Sequence, residues 1–412
     1  MKINLNENLI SIYFLTLFPL VYLTGPFLTE IFLLIIFFSR IKKIKEIKKV
    51  LANDNRLIQL FFVVIFLQSF LDLPEINFKN LLYVRFYFYY VSIRLLIQND
   101  PLDSKKIKTF IFYFSLSLII LIIFNLFQTF TNLGTIDMRF TVPLRSEEIA
   151  VSIYTKFYPF ILILFLASKT NFKELNVSTY KVNFIYIILL ITPLMALMSG
   201  ERMNTIMLII FSLLAMLRFR IFLTLKIIFF IMIVWIIGIY YLEIHDEFFR
   251  LNYAIERYGS LIKLINKDFL ESSIWGNHYL ASIKIFEKNM LTGIGINNFQ
   301  YSCGEYTSTL ANACTSHPHN IFLEIAAETG IFGLILFVGI CFQVLFKLIG
   351  YLKKTESSLT YIFLLAICIC LAIYIFPIRS NGSFFNNYNS SFFWVYISLL
   401  FNINIKRIYE KK

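Results

Sequence analysis

The chain has 412 residues, of which 58% are hydrophobic, 18% aromatic and only 15% charged. Ordinary soluble domains are about 45–50% apolar, and a soluble protein this apolar would expose large greasy patches, so the composition excludes that class and points to a lipid-facing surface. The formal net charge of +13 would in a soluble protein indicate nucleic acid as a partner, but basic residues gather at cytoplasmic membrane edges, and no nucleic-acid role is expected.

A membrane-spanning helix needs about 20 mainly apolar residues. In chain order the apolar runs predict spans at 8–24, 25–39, 56–73, 78–97, 109–129, 149–167, 183–199, 203–218, 222–242, 320–346, 359–377 and 391–405. The first two share a Gly25-Pro26 break. The first run lacks a small-residue cleavage site and a second follows at once, so it is expected to be retained. Basic residues cluster at Arg40–Lys49, at Arg94 with Lys105, Lys106 and Lys108, at Lys169, Lys173 and Lys181, at Arg218, Arg220 and Lys226, at Lys347, Lys353 and Lys354, and in the tail from Lys406. With about twelve spans and a cytoplasmic N-terminus, all of these fall on the cytoplasmic side. The expected fold is an all-α membrane protein with both termini cytoplasmic. It divides into N-terminal spans over 1–242, a large outer loop domain over 243–319 and C-terminal spans over 320–412.

The outer loop of ~77 residues is longer than a structureless connection usually is. Its Tyr279–Lys288 stretch reads as an amphipathic helix, followed by a turn at Gly293 and Gly295. Of five cysteines, Cys341, Cys368 and Cys370 lie in apolar runs, where Cys acts as a small hydrophobe. Cys303 and Cys314 both lie in the loop. An oxidising compartment would allow a bridge between them, the alternative being two free thiols.

All four histidines, His245, His278, His317 and His319, fall at or beyond the outer face. Histidine titrates nearest neutral pH and is the commonest general acid or base. The densest group is Thr315-Ser-His-Pro-His-Asn320. Asn320, Glu324 and Glu328 recur every four residues and share one helix face. Ionisable groups at membrane depth are costly and usually face a cavity, while capping and a solvated helix end are the plain alternative. Arg202, in the minimal outer turn Ser199-Gly-Glu-Arg202, offers a planar fork that matches phosphate oxygens, or it snorkels to the interface. Arg85 sits inside an apolar run, as a functional residue or half of an internal ion pair. Arg139, Arg145, Arg250 and Arg257 lie on the outer side, and Arg379 opens the last outer connection.

The sequence contains no P-loop, no HExxH and no zinc or haem spacing. It also has no acidic DxD pair on the outer face to hold a metal against a nucleotide-sugar. Metal-free, cofactor-free chemistry on a lipid-linked substrate fits better.

Gly293-Ile-Gly-Ile-Asn-Asn-Phe299, then Cys303, Cys314, His317-Pro-His-Asn320, Glu328-Thr-Gly330 and Gly333 together resemble the C-terminal signature of O-antigen ligases and O-antigen polymerases. The spacing of His319 and Gly330, the Ser-Gly-Glu-Arg202 turn and the Pro377…Ser380-Asn-Gly-Ser-Phe-Phe tail agree with it. The resemblance implies a metal-independent, inverting glycosyltransferase of the GT-C-like type in the bacterial inner membrane, with its active site on the periplasmic face. The donor would be a glycan on undecaprenyl diphosphate, the acceptor lipid A-core for a ligase or another lipid-linked unit for a polymerase. Arg202 would bind the diphosphate, and His319 would act on the acceptor hydroxyl or orient the donor. His317, Asn320, Glu324, Glu328 and Arg85 are further substrate-binding candidates. Family ligases often carry a second arginine ahead of the loop's amphipathic helix. Trp275-Gly-Asn-His278 stands there instead, leaving His278, Arg250 or Arg257 to fill the role. A transporter of the same lipid-linked sugar is the rival from another class. It would predict internal repeats and broken helices; no clear repeat is visible, and Arg85 alone favours it.

Overall fold

The computed structural model describes residues 12–40, 46, 50–51, 54–71, 78–131, 140–143, 150–168, 188, 191–199, 201, 203–210, 274–306, 314–353 and 358–402. The regular elements among the described residues are all helical: α1 (Ile12–Leu15), α2 (Phe18–Leu23), α3 (Pro26–Arg40), α4 (Arg56–Gln68), α5 (Phe78–Tyr83), α6 (Arg85–Asn99), α7 (Ser104–Thr131), α8 (Ala150–Ser168), α9 (Ile274–Lys288), α10 (Phe299–Tyr306), α11 (Ile321–Lys353), α12 (Leu359–Tyr374) and α13 (Asn387–Asn402).

Short local signals set many boundaries. Gly25, at φ 107°, makes the predicted break, and Pro26 opens α3, where its missing N–H costs nothing. Asn55 caps α4 by accepting from the Leu57 N–H at 3.1 Å, and Ser358 caps α12 by accepting from the Tyr361 N–H at 3.3 Å. The predicted span at 78–97 is two helices, and Arg85 opens the second.

Among the described residues, Ser104–Thr129 and Ile321–Lys353 are long and apolar enough to cross a bilayer, and Ile12–Leu23, Arg56–Gln68, Ala150–Ile163 and Leu359–Tyr374 are shorter apolar helices. The predicted span at 222–242 lies outside the described residues. Every residue of α12 is buried, as expected of a helix apolar all round. By contrast α4 exposes Leu60, Val63 and Leu67, and α11 exposes Phe332, Ile335 and Phe346. Such stripes of large apolar side chains suit lipid rather than water.

The chain forms two compact units, neither contiguous in sequence. One comprises Met1–Thr109, Asp268–Lys347 and Ser380–Lys412; the other comprises Phe110–Lys267 and Leu348–Arg379. In the first, α13 packs on α6 and α3. The fully buried Trp394 donates its indole N–H to the Tyr83 hydroxyl at 3.1 Å, and Ser390 donates to the same oxygen at 3.0 Å. Arg94, expected in a cytoplasmic basic cluster, is buried there and ion-paired with Asp54, which also accepts from Tyr87 and Tyr90. In the second unit α12 packs on α8, with Phe114 and Phe160 stacked at 3.9 Å.

One feature of α11 positions the loop residues. The predicted single span is interrupted at Gly330, which has φ 67° and ψ −167°. The Ile331 N–H freed there donates to Met290 O at 2.7 Å, while Ile294 and Gly295 donate to Ala327 O at 3.0 Å and Glu328 O at 2.9 Å. The backbones lie so close that a Cβ on Gly330 would fall 2.5 Å from Leu291 O, and one on Gly293 would fall 2.4 Å from the Glu328 carbonyl carbon. Only glycine fits both the positive φ and the contact. Gln68 of α4 donates its amide to Thr292 O and, at 2.8 Å, to Thr329 O, which ties both sides of the seam to a third segment.

Candidate functional site

Helix α9 begins at Ile274, five residues before the predicted Tyr279, and so carries Trp275 and His278. The segment 314–320 passes beside it. His319 lies with its ring centre 4.2 Å from that of His317 and 5.5 Å from that of His278. Trp275 stands edge-on to His319 at 4.7 Å and to His278 at 6.2 Å. The structure thus gathers His278 and His319 against one indole, with His317 beside His319. His278 is buried, while His317 and His319 are half-buried.

The backbone of Asn381 holds two of these residues. Its N–H donates to His319 O at 3.0 Å, and its carbonyl accepts from His317 Nε2 at 3.0 Å. His319 adopts φ 57°, a left-handed conformation that a non-glycine residue keeps only when its surroundings impose it. His317 Nε2 must carry a proton to meet a carbonyl. Its Nδ1 lies 2.8 Å from Ser316 Oγ and accepts from that hydroxyl when the ring is neutral. Burial lowers its pKa from 6.5 to about 4, opposed by the hydrogen bond to Asn381 and reinforced by His278.

Asn320, Glu324 and Glu328 share a face as predicted, and each accepts hydrogen bonds from backbone N–H groups. Asn320 caps α11, its side chain accepting from the Phe322 and Leu323 N–H groups at 3.0 and 3.2 Å. Glu324 is buried and accepts from the Phe384 N–H at 2.8 Å and from the Ser383 hydroxyl. Glu328, also buried, accepts from the Asn297 N–H at 2.7 Å and the Phe299 N–H at 3.2 Å, at the start of α10. The two carboxylates anchor the loops that flank the imidazoles. Burial raises the Tyr279 pKa, partly offset by its hydrogen bond to the Asn320 side chain.

Arg85 forms an ion pair with Glu30 at 2.5 Å and donates to Leu82 O and Asn387 Oδ1, each at 2.6 Å. Of the two readings of Arg85, the structure shows the internal ion pair. Cys303 and Cys314 are joined as a disulfide, with Cα atoms 5.5 Å apart. Cys303 is buried against Ala281, Ile285, Phe299 and Ala327, so the bond fixes the chain three residues before His317. Arg202, Arg250, Arg257, Arg139, Arg145 and His245 lie outside the described residues. Among the described residues no cluster of His, Cys, Asp and Glu is arranged to hold a metal ion.

Sequence reasoning overlooked Trp275 as the partner of two imidazoles, although it stands three residues before His278. It also overlooked Gln68, whose signal was a lone amide in an apolar run.

A protein-family model described as O-Antigen ligase matches residues 186–338, which bears out the resemblance. The matched stretch contains the three gathered histidines, the disulfide and the Gly293–Gly330 seam. No curated protein matches the chain.

Proposed function

We propose, since residues 186–338 match a family model described as O-Antigen ligase, that the chain transfers a glycan from undecaprenyl diphosphate to an acceptor hydroxyl of lipid A-core at the periplasmic face of the inner membrane. The observation that carries this reading is the cluster of His319, His317 and His278 at the mouth of α11, with Trp275 against His319 and His278. It offers a half-buried imidazole on a constrained backbone, which suits a general base that must keep its aim. The Cys303–Cys314 disulfide fits an oxidising compartment. The exposed apolar stripes of α4 and α11 fit a multi-pass protein of about twelve spans, with the loop domain 243–319 between its two helical parts.

In this reading the acceptor oxygen attacks the anomeric carbon from the face opposite the diphosphate, which inverts that centre. An imidazole nitrogen of His319 takes the hydroxyl proton as the new C–O bond forms. The old C–O bond breaks, and its electron pair goes to the diphosphate. Arg202 meets the charge that grows on the leaving group, with Arg250 or Arg257 as a second cation. Removing one such preorganised donor costs about 3–4 kcal/mol, and a positioned base adds about 10²–10⁴-fold. His317, neutral and bonded to Asn381, keeps His319 in place rather than exchanging protons itself.

The test is transfer by purified protein in liposomes, from a lipid-linked oligosaccharide to lipid A-core and, in parallel, to a second lipid-linked unit. Arg202→Ala and His319→Ala should each abolish transfer while the protein remains folded. Unimpaired transfer by either variant overturns the assignment of that residue. Elongation of the lipid-linked unit without transfer to core would make the chain a polymerase.

A further inference from the structure

We propose that the turn at Met290 and Leu291, between α9 and the Gly293–Gly330 seam, is seated in the surface of the lipid bilayer, so that the segment bearing the imidazoles rests on the membrane rather than standing free in water. The inference concerns where that segment sits and holds whatever group is transferred. Every residue it uses lies in the first unit.

Helix α11 shows where the hydrocarbon begins. Over residues 321–329 each side chain is buried or half-buried, the carboxylates of Glu324 and Glu328 among them. Beyond the break at Gly330 the helix changes character, and Phe332, Ile335, Phe342, Phe346 and Ile349 are exposed. From Phe332 to Ile349 the helix rises about 26 Å, close to the ~30 Å of a hydrocarbon core. Gly330 therefore stands at the end of the lipid-facing stripe that leads to His319. Met290 and Leu291 meet the helix at that level, since Met290 O accepts from the Ile331 N–H at 2.7 Å. Their side chains are 49% and 65% exposed, while Glu287 and Lys288 just before them are exposed and charged. An apolar tip bounded by charge suits the boundary between headgroups and acyl chains.

Two neighbouring segments reach the same level. Gln68, at the end of α4, donates to Thr292 O and Thr329 O. Just beyond it Phe70 and Leu71 are exposed and continue the stripe of Leu60, Val63 and Leu67. On α5 the exposed Phe78 and Leu82 flank Lys79. The Lys79 ammonium donates to Asn297 O and Asn298 Oδ1, each at 3.0 Å, and stands 4.4 Å from the centre of the exposed Tyr301 ring. A lysine with its charge carried to polar groups beside a tyrosine, among apolar neighbours, is the pattern of a membrane–water interface. The apolar rim is continuous with the stripes of α4 and α11, and a bilayer is the occupant that covers all of them at once.

The test uses the full-length protein in liposomes of phosphatidylethanolamine and phosphatidylglycerol, with an environment-sensitive fluorophore on Leu291→Cys. The native Cys341, Cys368 and Cys370 are buried, and wild-type protein treated alike gives the background. Emission should shift to the blue relative to a label on Glu287→Cys. Nitroxide lipids should quench it, more strongly with the nitroxide near the headgroup than deep in the acyl chain. A label on Phe332→Cys should be quenched as well, with the preference moved toward the deeper nitroxide. Met290→Cys supplies the same readout if Leu291→Cys fails to fold. Emission at Leu291 that matches Glu287 and resists quenching overturns the proposal. A blue-shifted label that nitroxide lipids do not reach, and that reverts when the protein is diluted in lipid, puts a second copy of the chain on the turn and overturns it too. An unquenched label at Phe332 overturns the lipid boundary and the proposal with it. Glycan transfer plays no part in the readout, so each of these failures leaves the reading of the reaction untouched.

Discussion

The indole of Trp275 meets the imidazole of His319 edge-on, with ring centres 4.7 Å apart and planes at 81°. An edge-to-face pair is worth about 0.5–1.5 kcal/mol beyond its buried area, enough to select one orientation of the imidazole. Trp275→Phe, which keeps an aromatic partner, should lower transfer less than tenfold. Trp275→Ala should lower it about tenfold, chiefly in kcat, because His319 would lose its aim while substrate still binds. Equal rates for the two variants in a single-turnover assay would deny Trp275 this role.

Gly330 is the joint of the whole site. A methyl group there would fall 2.5 Å from Leu291 O while the backbone holds φ 67°. A strained φ alone costs about 1–3 kcal/mol, and here the seam must open as well. Gly330→Ala should lower the melting temperature in detergent by several degrees, and Gly304→Ala, inside α10 where a Cβ meets nothing within 4 Å, should hold or raise it.

Glu328 distinguishes an anchoring carboxylate from a reacting one. Its oxygens accept from the N–H groups of Asn297 and Phe299. Glu328→Gln turns one acceptor into a donor facing an N–H, and leaving such a group unsatisfied costs about 1–3 kcal/mol. Stability and transfer should fall together. A variant with wild-type stability and no transfer would mark Glu328 as a participant in the chemistry.

His317 links stability to acidity. In the unfolded chain its ring takes a proton near the ordinary pKa of 6.5, whereas in the fold burial holds that pKa down at about 4. The folded state thus binds the proton less readily, and stability falls wherever only the unfolded chain is protonated. The contribution is complete above pH 6.5 and is lost as pH drops from 6.5 through 4. The melting temperature should decline across that window, and His317→Gln, which cannot titrate, should flatten the decline.

Much of the scaffold was legible in advance because the signals were local. The Gly25-Pro26 break and the shared face of Asn320, Glu324 and Glu328 each follow from a few neighbouring residues. Where the sequence left alternatives open, the partners were remote. It offered Glu324 and Glu328 as ligands or as part of a capped, solvated helix end, and the Phe384 and Asn297 N–H groups that meet them lie in other loops. It offered Arg85 as a functional residue or half of an internal ion pair, and the partner, Glu30, is on another helix.

By itself the amino-acid order determined the lipid-facing character of this chain, its helical make-up and the family signature around His319. Hydropathy and capping are sums over adjacent residues, so they survive without any knowledge of the fold. Only the tertiary structure decided that Asn381 holds His317 and His319, that Trp275 faces two imidazoles and that Arg379 reaches Asn204. Each of these contacts is worth about 1 kcal/mol and joins segments distant in sequence. Chain packing brings them together, and no local pattern records it.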